Sequence, residues 1–81
     1  MEPEKIVFDA VIAGKQMPLR IEKEQEPVHR QANELLNKRY EMYEVQHKAR
    51  REDILAMTAY SLAVQVIDLQ KHLGVTVNSK K

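Results

Sequence analysis

An α+β fold is predicted, a β-hairpin followed by two α-helices (ββαα), and three patterns in the 81 residues predict it. Apolar side chains alternate between Lys5 and Ile21, the period of half-buried strands. They recur every three or four residues from Glu26 to about Gln46, as on an amphipathic helix. From Ile54 to Leu73 they follow the alternating steps of a coiled-coil seam, through Leu55, Ala59, Leu62, Val66, Leu69 and Leu73. The expected organisation is one domain. A head spans 1–53 (hairpin 5–21, helix one 26–46, basic junction 47–53), a dimerisation helix 54–73, and a flexible tail 74–81.

Ile6, Phe8, Ala10 and Ile12 share one face of the first strand, and Met17, Leu19 and Ile21 share one face of the second. Met1–Glu4 is expected to fray. Folding about Gly14-Lys15 pairs Ile12 with Met17, Ala10 with Leu19 and Phe8 with Ile21, which puts all six on one face. In a two-residue loop this register places Pro18 in a hydrogen-bonded pair opposite Val11, and proline has no N–H to give. A four-residue loop, Ala13–Gln16, keeps the facing pairs and frees Pro18, so the longer loop is expected. A hairpin alone is marginal in water, so its apolar face must lie on a helix.

Pro27 suits the first turn of helix one, and the carboxylates around it favour the positive end of the helix dipole. Val28, Ala32, Leu35, Leu36, Met42 and Tyr43 form the apolar stripe, with Tyr40 left open between core and partner. The stripe lapses from Glu44 to Asp53. That predicts a break with Asp53 as N-cap of helix two, a single bent helix being the alternative. Gly74 ends helix two in the manner of a C-cap. Beside its leucine seam runs a second apolar row, Ala56, Tyr60, Ala63 and Ile67. Twenty residues make a helix roughly 30 Å long, and the chain offers only one other helix to cover it. A second copy is expected to cover what remains, against the competing reading of a monomeric bundle.

Composition narrows the function. With no cysteine there are no disulfides or thiolate metal sites. A net charge of +1 describes a solvated surface rather than a polyanion binder. The longest apolar stretch, Ile54–Val64, falls far short of the ~18 residues a membrane span requires. His29, His47 and His72 lack the spacing of a helical metal site, and Ser61 and Ser79 have no neighbouring base. Gly14 is a lone turn glycine, and Glu22/Glu24 are too solvated for a general acid. No enzymatic activity, cofactor or metal is expected.

The basic cluster Lys48-Ala49-Arg50-Arg51 has two readings. Its cations either suit the carbonyl end of helix one or form a docking patch for an acidic partner. Lys38-Arg39 reads as a solvated helix face. Two functions follow from these residues: a small nucleic-acid-binding dimer using the same cluster with Lys80-Lys81, or a coiled-coil adaptor for another partner. Balanced charge and few aromatics weigh against nucleic acid.

Three motifs stand at ungapped spacing: Ala10-x-Ile12-x-Gly14-x-x-Met17-x-Leu19, Ala32-x-x-x-Leu36-Asn37, and Asp53-x-Leu55-x-Met57-x-x-x-x-Leu62-Ala63. With them the chain resembles the ZapA-type bacterial cell-division proteins over about residues 6–73. The resemblance implies a cytoplasmic homodimer, often paired into a tetramer, that binds the tubulin-like protein FtsZ and bundles its filaments at the division site. It also implies partner contacts at Lys15, Lys48 and Arg50, with Arg51 and Asp53 as weaker additions. Pro18 and the early stop of helix two at Gly74 depart from the family pattern.

Overall fold

The structure, a computed structural model, describes residues 3–74. Strands β1 (Lys5–Ile12) and β2 (Lys15–Glu22) form an antiparallel hairpin. A single 3-10 turn, Lys23–Gln25, leads into α1 (Glu26–Gln46), and α2 (Arg51–His72) follows after four non-helical residues. The order is ββαα, the predicted fold class. The expected tail falls outside the described residues apart from Gly74. Glu4 does not fray: its carbonyl accepts the Lys23 N–H at 2.9 Å, prolonging the hairpin by one rung.

The hairpin register differs from the expected one by two residues. Phe8 faces Leu19, Ala10 faces Met17, Ile6 faces Ile21 and Ile12 faces Lys15, so the loop is Ala13-Gly14 and not Ala13–Gln16. Ala13 and Gly14 both have positive φ, 52° and 82°, as a type I′ turn requires. That conformation costs Ala13 about 1 kcal/mol, offset by two further pairs in the ladder. The demand of Pro18 is nevertheless met. Val11 sends its N–H and C=O outward, to Asn33 and Asn37, so the Val11–Gln16 pair is not hydrogen-bonded. Two residues on, Asp9–Pro18 is the same kind of pair, where no N–H is missed.

Helix α1 seals the free edge of β1 with two asparagines one turn apart. Asn33 Oδ1 accepts the Val11 N–H at 2.9 Å. Asn37 Oδ1 accepts the Ala13 N–H at 3.1 Å, and its amide nitrogen donates to the carbonyls of Val11 (2.6 Å) and Asn33 (2.9 Å). An exposed strand edge is thereby closed, and the strained turn residue is tied down.

The helix break is real, because His47 and Arg50 adopt extended backbone (φ/ψ −126°/134° and −73°/159°). A single bent helix is thereby ruled out. Helix α2 starts earlier than expected: Arg50 occupies the N-cap position, and Asp53 lies inside the first turn. At the other end Gly74, at φ 76°, donates its N–H to the Lys71 carbonyl, the expected stop.

The core is small. Ala10, Ile21, Tyr40, Ile54 and Thr58 are buried, drawn from both strands and both helices. The expected stripe of α1 divides: Leu36 and Tyr43 turn inward while Val28, Ala32, Leu35 and Met42 stay exposed, and Tyr40, left open, is buried. On α2 the face most closely held to the rest of the chain lies beside the leucine seam, of which only Leu55 and Leu62 are half-buried. That face carries Ile54, Thr58, Ser61 and Gln65, with Thr58 Oγ1 donating to the Ile54 carbonyl at 2.8 Å. Arg39, expected on a solvated face, reaches across from α1 and donates to Ser61 Oγ (2.9 Å) and Gln65 Oε1 (2.6 Å). Beyond Leu62 the seam is left open, with Val66 49%, Leu69 54% and Leu73 76% exposed.

Candidate functional site: a charged groove and an open seam

Two surfaces are candidates. The first is a groove of about 460 Å³ where the hairpin turn (Ala13, Gly14), the last turns of α1 (Asn37, Tyr40, Glu41, Glu44) and the interhelix junction (Ala49, Arg51) meet. Local folding explains the meeting. Asn37 holds the turn against α1, and the non-helical linker 47–50 returns the chain past the end of the same helix. Residues distant in sequence, the hairpin tip and the basic junction, are therefore neighbours.

Of the residues expected at a partner site, Arg51 lines the groove directly. Lys15 follows the groove residue Gly14, while Lys48 and Arg50 flank the groove residue Ala49. All four basic residues are exposed. Asp53 stands apart from the groove lining, and its carboxylate lies 4.0 Å from Arg50 Nε in an exposed pair. Such a contact contributes little. Glu41 and Glu44 were missed by sequence reasoning, since in a helix of mixed charge nothing marks them out. Their i, i+3 spacing is the only signal, and it needs the position of the hairpin to acquire meaning.

The second surface is apolar. Between the helices, Ala32, Leu35 and Leu36 of α1 and Leu62, Gln65, Val66 and Leu69 of α2 line a groove of about 290 Å³. It opens onto the seam. Leu55 and Leu62 are half-buried, and Ala59, Val66, Leu69 and Leu73 are exposed. On the neighbouring row Ala56, Tyr60, Ala63 and Ile67 are exposed too.

Among the described residues no group of three His, Asp or Glu side chains is placed to hold a metal ion. His29 and His47 pack against Phe8 and Tyr43, with ring centroids 5.9 and 6.1 Å apart. Ser61 Oγ is taken up by Arg39 and by the Thr58 carbonyl, to which it donates at 3.2 Å. No helix among the described residues is long and apolar enough to cross a membrane.

Comparison with known proteins agrees with the motif reading. No curated protein and no solved structure gave a significant match. One family model, that of the cell division protein ZapA, matches residues 9–80. This match takes in the second half of β1, β2 and both helices. The chain belongs to the ZapA family of cell division proteins.

Proposed function

We propose that this protein is a non-enzymatic crosslinker that binds FtsZ filaments and bundles them during assembly of the division ring. It acts as a homodimer in the cytoplasm at midcell. The observation that carries the reading is the open leucine seam. A compact protein of 9.4 kDa exposes about 5000 Å², whereas this chain exposes 6758 Å². Its radius of gyration is 15.4 Å, against about 12 Å for a compact chain of this length. The excess is larger than the roughly 800 Å² per partner that a standard interface removes, so there is surface enough for a dimer.

The occupant of the seam is α2 of a second copy, set into the apolar groove beside α1. Pairing gives two heads on one rigid stem. When one head holds a filament, the other is confined near the next, and such bivalency raises avidity by about 10²–10⁴. Tyr60 and Ile67, on the neighbouring row, supply the contact for a tetramer. On each head the filament meets Lys15, Lys48, Arg50 and Arg51, with Asp53 at the margin.

The test is sedimentation of polymerised FtsZ with increasing amounts of this protein. Added protein should increase the pelleted polymer, most strongly at low salt, where exposed charges are least screened. Replacing Lys48, Arg50 and Arg51 together by Glu should abolish the increase while leaving the dimer intact. Bundling that survives this change in a dimeric protein would remove the basic junction from the interface.

A further inference from the structure

The groove at the hairpin tip holds charges of both signs at the wrong ends of their helices. Glu41 and Glu44 stand in the last two turns of α1, the negative end of its dipole, and no basic residue occupies the last turn. Arg51 is the first residue of α2, a cation at the positive end of that dipole. Each charge is unfavourable where it stands, and the two glutamates, three residues apart, repel one another. A direct contact between Arg51 and either glutamate would relieve all three, yet none is made. The ion pairs of the described residues are Glu4–Lys23, Glu26–Arg30 and Arg50–Asp53. What separates the two walls is an open groove of about 460 Å³, the volume of about fifteen waters.

From this arrangement we infer that the groove receives a bipolar segment of the filament protein, one cationic side chain set between Glu41 and Glu44 and an adjacent carboxylate set on Arg51. The inference rests on the proposed function and changes the chemistry of its partner. A purely acidic partner would be attracted by Lys48, Arg50 and Arg51 but repelled by the two glutamates. A bipolar one satisfies both walls. Specificity follows, because a segment with the right charges in the wrong order leaves like charges facing each other. The guanidinium of Arg51 offers the partner's carboxylate a two-point contact, and the backbone of Ala13 and Gly14 bounds the groove on the remaining side.

The sign of one substitution decides the matter. In the full-length protein, Glu41→Gln with Glu44→Gln removes both negative charges from exposed positions, so fold and oligomeric mass should stay those of the parent. Binding to FtsZ polymer is then measured by co-sedimentation at several salt concentrations. The expected result is at least fivefold weaker binding, with the deficit shrinking as salt rises, and a similar loss for Arg51→Gln. Unchanged or tighter binding by the glutamine pair would overturn the inference and leave the basic docking patch standing. Failure of the unsubstituted protein to bind FtsZ would overturn the proposed function and, with it, this partner for the groove.

Discussion

Replacing Leu69 with aspartate separates folding from pairing. Leu69 is 54% exposed in the single chain, so a carboxylate there remains in water and costs the monomer little beyond about 0.5 kcal/mol of helix propensity. Within a dimer the same position is dry. Burying the exposed half of a leucine contributes about 1 kcal/mol per copy. An unpaired carboxylate in its place adds a penalty of several kcal/mol, or takes up a proton to avoid it. Both copies carry the change, so the dimer should lose at least about 4 kcal/mol, about a thousandfold in Kd. Sedimentation velocity across a concentration series reads the association, and far-ultraviolet circular dichroism reads the helices. The expected outcome is a helical monomer. An undisturbed dimer would place the interface elsewhere, and a chain that unfolds without having dimerised would make Leu69 a core residue despite its exposure.

Three further outcomes follow from the fold. Asn37→Ala removes the bonds to Val11, Ala13 and Asn33, and at about 1 kcal/mol for each it should lower stability by about 2–3 kcal/mol. Measured at equal protein concentration, that is a drop in Tm of at least 8 °C, and an unchanged Tm would show that the edge of β1 does not depend on it. Ala13→Asn keeps the positive φ but replaces a residue poorly suited to it with one that adopts it readily; stability should rise by about 0.5–1 kcal/mol, read as a higher Tm. Tyr60→Glu, on the row beside the seam and 75% exposed, should leave the dimer intact and weaken any larger assembly, as light scattering would report.

Much of this fold is legible in the sequence, and the exceptions have physical causes. Alternation placed Phe8, Ala10, Leu19 and Ile21 on one face, and that face is the inner one. Register was lost at Ala13, because a type I′ turn normally advertises itself with Asn, Asp or Gly at its first central position. Here the signal sits 24 residues away, in the Asn37 side chain that accepts the Ala13 N–H. The start of α2 was misplaced because Asp53 looks like a cap, whereas Arg50, the observed cap residue, makes no capping bond with its side chain. At the candidate site the basic residues stand close together in sequence and were visible. Glu41 and Glu44 acquire a role only when the hairpin tip is folded against them.

The orientation of α2 carries the argument for a partner. A helix belonging to a monomeric core turns its leucines inward and its hydroxyls and amides to water. This helix divides its faces: Thr58, Ser61 and Gln65 are bonded on the α1 side, Leu55 and Leu62 are half-buried, and Val66, Leu69 and Leu73 stay exposed, the first two beside an open apolar groove. Polar side chains are tolerable on the α1 side because Thr58, Ser61 and Gln65 are hydrogen-bonded. Thr58 donates to the Ile54 carbonyl, Ser61 to the Thr58 carbonyl, and Arg39 spans the gap to Ser61 and Gln65. Arg39 thus ties the middle of α2 to α1 while Val66, Leu69 and Leu73 stay exposed. Arg39→Met keeps the apolar stem and removes both cross-helix bonds, a loss of about 1–2 kcal/mol at a half-exposed position. Hydrogen exchange should then quicken in the middle of α2 while the dimer, held by the leucines, survives. If exchange there were unchanged, the angle of α2 would be set by the seam alone, and pairing would have to precede the docking of α2 on its own head.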